Sequence, residues 1–407
     1  MYKKSIGFQK RKNVHLEVVR GCACLLVILT HLAMKLPGNG YSFNPHFISF
    51  FSGWATEAVI IFFILSGLVI TSSINKQQST RSFITARLVR IYPILFVSVL
   101  ISVIIDLFLL KAPVSAAAIV GNLIPISNLQ ATISPLLHAN PVIWSLSFEV
   151  FFYTFFALFI LGKNLIRKLN LVLWLSFSII CLGLGYFEFN LNNPIVKYLV
   201  MMFSFSPIWI IGVLIWLLKD RFSVGKVNFF FSLTALPLIS RLHLTLNYYD
   251  PLKFLLFALT AVPFFIFLIQ NDISRDSVPT NRKIMALQGV IYILATVFIA
   301  KDSTYTTLIK SIYISLPVIS LSFSIKFVYQ HLIHLYNNFI KPILAPIGKI
   351  SYGLYLMHFP IITFFLYINR LSNPVKILFS ILLFTIFSIW LEMVFQPFVK
   401  KMLKPFV

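Results

Sequence analysis

Negative charge is scarce in this chain. Only 11 residues are Asp or Glu, against 34 Lys and Arg in a length of 407. Charge of either sign is short as well: 11% of residues carry one, where a soluble domain holds about a quarter. A soluble fold of this length could not cover its surface with so few. Cysteine is almost missing. Cys22, Cys24 and Cys181 all lie in apolar runs, and no CxxC pair or metal-ligand spacing is present. They read as small buried apolar residues. No internal repeat and no Pro- or Ser-rich linker marks a second domain. Residues 1–407 are therefore expected to form a single domain with no soluble domain attached.

Apolar residues fill the space that charge leaves. They make up 59% of the chain, and the mean hydropathy is +0.90. They fall in long runs separated by short polar loops, and such runs span a bilayer once they reach about 18 to 20 residues. The runs are 18–36, 54–73, 93–110, 143–162, 169–187, 196–218, 227–242, 252–270, 284–300, 308–328, 352–369 and 375–396. The fold class expected is all-α, a polytopic integral membrane bundle of about 10–12 transmembrane helices.

The excess of positive charge is a matter of orientation. Nucleic acid is not an expected partner, because no soluble basic domain is long enough to bind it. Lys and Arg gather in alternate loops: Arg81, Arg87 and Arg90, then Lys219, Arg221 and Lys226, then Lys341 and Lys349. Residues 112–142 hold none. With the basic flank of residues 3–12 in the cytoplasm, the positive-inside rule puts both termini on that side. Anionic lipid headgroups are natural neighbours of these loops.

An ionisable residue inside an apolar run is costly and needs a reason. The first run holds Glu17, Arg20 and His31. Glu17 and Arg20 are three apart and can pair on one helix face. His31 is eleven residues beyond Arg20, three helical turns and about 16 Å, so the two share a face. Snorkelling to the headgroups accounts for an arginine. Histidine is the side chain best suited to general-base work near neutral pH. Arg87 and Arg90 precede Pro93 and fit the first turn of a span, as topology signals or as a fork for phosphate. Glu149 enters its run amid Trp144, Phe148, Phe151 and Phe152, where a carboxylate must be paired or protonated. It could salt-bridge another helix, bind an acceptor or orient a base. Tyr355 and His358 are three apart, and interfacial anchoring explains the tyrosine better than the histidine. Ser66 and Gly67 read as helix packing.

In order, these segments resemble the membrane acyltransferase type 3 family, which includes O-antigen and exopolysaccharide O-acetyltransferases. The resemblance rests on Glu17 with Arg20-Gly21 and His31; Phe62-Phe63-Ile64-Leu65-Ser66-Gly67; Arg87, Arg90 and Pro93; Trp144-Ser145-Leu146 with Glu149; and Ser351-Tyr352, Tyr355-Leu356 and His358. It departs from the family at the opening acid, Glu here for the usual Asp. It departs again at Phe395-Gln396-Pro397-Phe398, which lacks an acid directly before it, with Glu392 four residues earlier.

What the resemblance implies is transfer of an acyl group, most simply from acetyl-CoA, to a hydroxyl of a cell-surface glycan or glycolipid at a bacterial inner membrane. Arg87 and Arg90 would hold the donor phosphates. His31 would be general base or acyl carrier. Glu17 and Arg20 would line the donor path, and Glu149 and His358 would serve the acceptor side. No metal is expected. The alternative from another class is a polytopic transporter or flippase, since intramembrane Arg, His and Glu also mark transport.

Overall fold

The computed structural model describes residues 13–35, 54–74, 79–127, 133–159, 164–186, 192–242, 250–270, 280–301, 307–368 and 371–403. The basic flank of residues 3–12 lies outside them. Among the described residues there are helices and no strands, which is the all-α polytopic architecture the hydropathy implies. The helices are α1 (Val14–Lys35), α2 (Trp54–Ser73), α3 (Thr80–Ile104), α4 (Ala116–Leu123), α5 (Trp144–Phe159), α6 (Asn164–Tyr186), α7 (Pro194–Leu218) and α8 (Lys226–Ser240). Then follow α9 (Pro251–Gln270), α10 (Arg282–Lys301), α11 (Thr307–Phe323), α12 (Lys326–Leu335), α13 (Lys341–Lys349), α14 (Ser351–Leu366), α15 (Asn373–Trp390) and α16 (Gln396–Leu403).

Among the described residues, eight helices are long and apolar enough to cross a membrane, and nine if the broken stretch over Lys326–Lys349 and Ser351–Leu366 is one span. Two shorter apolar helices, Leu169–Gly185 and Lys226–Ser240, add to these. Lipid exposure is plain on α10, of whose most apolar window only 17% is buried. Leu287, Val290, Ile293, Leu294 and Phe298 all stand exposed there. Such a face is stable against hydrocarbon and not against water.

Two boundaries differ from the sequence reading. The third span begins at Thr80, not at residue 93. Ser79 caps it by accepting a hydrogen bond from the Ser82 N–H, and Pro93 lies inside it. A proline removes one helical hydrogen bond but need not start or end a helix. Arg87 and Arg90 therefore stand in the body of α3 and not in a first turn. The stretch over residues 329–349, expected as a loop around Lys341 and Lys349, is helical. Its apolar Phe339 and Ile343 are exposed, the pattern of a helix that lies against lipid.

The chain divides into two compact units. The first comprises residues 1–23, 60–72 and 211–349. Its centre is α8, which packs against α9, α10 and α11. Here α1 and α13 touch backbone to backbone. A Cβ on Gly21 would fall on the Leu344 carbonyl oxygen, and one on Gly348 on the Glu17 carbonyl oxygen. The glycine of the Arg20-Gly21 element is thus a packing requirement. Gly212 likewise lies on the α2 backbone at Ile64 and Leu68, so the close approach expected around Ser66-Gly67 exists and Gly212 allows it.

The second unit comprises residues 24–59, 73–210 and 350–407. In it α14 packs on α15 and α3, and α3 also meets α4, α5 and α16. An aromatic core joins α5, α6 and α7: Phe151, Phe155, Trp174, Phe203 and Trp209 stack with centroids 4.6–5.8 Å apart. Edge-to-face pairs of this kind add about 0.5–1.5 kcal/mol each beyond burial.

The glycine contacts make a direct prediction. Gly21→Val and Gly348→Val should each lower the apparent melting temperature in detergent, at a cost of about 1–3 kcal/mol. Gly183→Ala should not, since a Cβ there meets nothing within 4 Å. Equal stability of all three in a thermal size-exclusion assay would contradict the backbone contact.

Candidate active site

The second half of α1 and α14 run parallel and in register. The Cys24 thiol lies 3.7 Å from the Ser351 carbonyl oxygen, His31 Nδ1 lies 2.9 Å from His358 Nε2, and Lys35 Nζ donates to Thr363 Oγ1 at 3.2 Å. The sequence separations are 327, 327 and 328. Steps of seven from Cys24 to His31 and from Ser351 to His358 keep both contacts on one seam, as in a coiled coil.

The two imidazoles are therefore held by helix register and not by a loop. Their rings stack at 5.1 Å and 21°, and Phe359 sets its ring against His31 at 81°. His358 is fully buried; His31 is partly open. Hydrogen bonding fixes the tautomers of the neutral pair. His358 Nδ1 lies 3.0 Å from the Leu354 carbonyl oxygen, which can only accept, so Nδ1 carries the hydrogen. Its Nε2 is then an acceptor, and His31 Nδ1–H must donate to it. That leaves the lone pair on His31 Nε2, the state a general base needs.

Below the histidines, toward the α14 N-terminus, lies a second polar cluster. Its axis is Arg90. The guanidinium donates to both oxygens of Glu392, Nη1 to Oε2 at 2.5 Å and Nη2 to Oε1 at 3.2 Å, and Nη1 also reaches Gln396 Oε1. Gln396 Nε2 returns a bond to the Arg90 carbonyl oxygen at 2.6 Å. Glu392 takes the Gly353 N–H as well, at 3.2 Å. The acid sits in a π turn, Leu391–Phe395, between α15 and α16, an irregularity often found at functional sites. The Tyr352 ring lies 5.4 Å from the Arg90 guanidinium, and its hydroxyl donates to the Ile91 carbonyl oxygen at 2.9 Å.

Arg87 is placed differently. It lies over the rings of Phe83 and Tyr153, at 5.4 and 6.0 Å. Its buried Nε has no hydrogen-bond partner among the described residues. Glu149 accepts a hydrogen bond from Tyr153, so it belongs to this cluster, beside the arginines. Between the clusters, Tyr355 and Ser145 share a 2.8 Å hydrogen bond. Asn140 donates to Ser98 Oγ at 2.8 Å and to the Leu356 carbonyl oxygen at 3.1 Å, which ties α3 to α14.

The contacts of Ile91 with Tyr352 and of Ser98 with Leu356 show α3 and α14 rising together. Tyr352 to His358 is six residues, about 9 Å along the helix. Glu17 and Arg20 belong to the first unit, where they form a 2.8 Å ion pair three residues apart.

Of the residues chosen from sequence, the structure joins His31 with His358, and brings Arg87 and Glu149 to the same Tyr153. Sequence reasoning gave no role to three. Glu392 and Gln396 stand near the end of an apolar run, and the cost of a carboxylate there was the signal. Lys35, one turn beyond His31, is the third. Among the described residues no group of three or more His, Cys, Asp or Glu could hold a metal.

The Arg90–Glu392 contact predicts strong coupling. Arg90→Ala and Glu392→Ala should each destabilise the protein, and the double variant should cost less than their sum, by about 1–2 kcal/mol. Strict additivity in a thermal-unfolding cycle would remove the contact from the native state.

No curated protein and no solved structure matches the chain. A family model described as an acyltransferase domain matches residues 13–393, nearly the whole length, and it runs through all five ordered elements from Glu17 to His358 and on past Glu392. The chain belongs to the membrane acyltransferase type 3 family and is an acyltransferase.

Proposed function

We propose that this chain, acting as one membrane domain, transfers an acetyl group from acetyl-CoA to a hydroxyl of a cell-surface glycan or glycolipid at a bacterial inner membrane, with both termini cytoplasmic. The observation that carries this reading is the His31–His358 pair, whose hydrogen bonding leaves a lone pair on the more accessible ring. His31 Nε2 takes the proton of the acceptor hydroxyl as its oxygen attacks the thioester carbonyl carbon. A C–O bond forms and the C–S bond breaks. The CoA thiolate leaves with the proton that His31 returns to it. His358 is a positioning residue: it holds His31 in the right tautomer, with the Leu354 carbonyl as its own anchor.

The arginines divide the donor's work. Arg90 has its fork filled by Glu392 and Gln396, which suits a structural cation that fixes α3 against α16. Arg87, with a buried Nε that has no partner among the described residues, suits the donor phosphates. The thin pantetheine arm then runs along α14 from the arginine level toward the histidines. Glu149 and Tyr153 would border that path. Glu17 and Arg20 would orient the first half of α1. No residue role here calls for a metal.

The reading is checked with labelled acetyl-CoA and membranes that contain the protein. His31→Ala should abolish transfer at normal protein level, and His358→Asn should lower kcat about a hundredfold or more. Arg87→Ala should raise KM for acetyl-CoA about tenfold with little change in melting temperature. Full transfer by a well-folded His31→Ala variant would sink the mechanism. Proton-dependent solute uptake without any transfer would favour a transporter.

A further inference from the structure

Lys35 is the cation at the histidine pair, and the mechanism above does not use it. It stands one helical turn past His31 on the same face of α1. Its side chain does not run off the helix end. It reaches across to α14, where Nζ donates to Thr363 Oγ1 at 3.2 Å and lies 4.3 Å from the centre of the Phe359 ring. His31 meets that same ring edge-on, at 5.1 Å between centroids. One aromatic ring thus spaces the ammonium and the imidazole.

Among the described residues no acid is paired with the charge on Lys35. It takes no part in the ion pairs of Arg20, Arg90, His138 and Lys219. In the second unit, Glu57 apart, the described acids have other partners: Asp106 accepts the N–H groups of His138 and Ala139, Glu149 accepts from Tyr153, and Glu392 holds Arg90. The stretch that follows α1, residues 36–53, contains no Asp or Glu at all. The partial negative charge of the α1 C-terminus offsets part of the cost. It would do so equally for a side chain directed at water. An ammonium half-buried beside a reaction centre, with one of its three hydrogens on a threonine, keeps two for a ligand.

We propose that the acceptor carries a fixed negative charge, a carboxylate or a phosphate, next to the hydroxyl that is acylated, and that Lys35 recognises it. The anion would sit on the Lys35 side of Phe359 while the hydroxyl faces His31 Nε2. Recognition by a charge-assisted contact positions the acceptor and discriminates against neutral sugars. The inference rests on the acyl-transfer reading and names its substrate class.

The test works with an unidentified acceptor. Cell-envelope membranes containing the protein are given radiolabelled acetyl-CoA, and the labelled glycan is released and separated by anion exchange. Label is expected on anionic material. Partial hydrolysis should then find the charged group on the acetylated sugar or its neighbour. Loss of the charge on dephosphorylation identifies a phosphate, and loss on carboxyl reduction identifies a carboxylate. Lys35→Gln should lower incorporation about tenfold at limiting acceptor, and Lys35→Arg should retain it. Label on neutral glycan overturns the proposal and leaves acyl transfer standing, and this outcome needs no variant to fold. So does a folded Lys35→Gln variant that matches wild type at every acceptor level. No label with wild-type protein sinks the acyl-transfer reading and this inference with it.

Discussion

A fully buried histidine in an apolar helix must satisfy both ring nitrogens from protein, because hydrocarbon offers nothing. His358 does this with the Leu354 carbonyl below it and His31 beside it. Much of the second unit is arranged around that requirement. The carbonyl fixes the proton on Nδ1, the proton fixes the tautomer, and the tautomer sets which nitrogen of His31 is basic. The requirement also fixes geometry. His31 can reach Nε2 of His358 only if α1 and α14 run parallel in one register, and the contacts at Cys24 and Lys35 keep that register above and below.

The same helix organises the lower cluster. Tyr352, Tyr355 and His358 step along α14 every three residues, and each meets a different polar group: the arginine cluster, Ser145, and His31. The α14 backbone contributes as well, through the Gly353 N–H to Glu392 and the Leu356 carbonyl to Ser98 and Asn140. Satisfying so many groups on one helix restricts its rotation. A slip of one residue would break all of them together, which is why a polar seam specifies register where apolar packing alone would tolerate several.

How much of this is legible in the sequence depends on the range of each signal. The all-helical fold follows from hydropathy, which is local. The histidines, the arginines and Glu149 stand out because ionisable groups in apolar runs are expensive, also a local judgement. Which of them meet is not local. Glu149 looks suited to the acceptor side, yet Tyr153, one turn on, draws it to the arginines. Glu392 is visible as an acid in the last apolar run, but its spacing does not fit the terminal motif. A π turn alters the local helical phase, so spacing counted on a regular helix is the wrong ruler. The start of α3 is misplaced for a related reason: proline reads as a boundary, and the Ser79 cap fourteen residues earlier is the true one.

The division between the two arginines has a physical basis beyond their neighbours. A cation that is to bind a multiply charged phosphate must not be neutralised beforehand, yet an unpaired cation in an apolar bundle is expensive. Under the proposed donor role, the lower cluster would answer both demands by separating them. Arg90 takes the carboxylate, whose two oxygens match its fork, and so locks α3 to the turn between α15 and α16. Arg87 is faced with the rings of Phe83 and Tyr153, whose π faces ease a positive charge without cancelling it. In the donor role proposed for Arg87, an aromatic partner would give up little to a phosphate, whereas a carboxylate would have to be displaced. Lys35 repeats the pattern at the histidine level, with Phe359 for its ring and Thr363 for its hydrogen bond. In both places an aromatic ring faces a cation, and at Lys35 a hydroxyl joins it.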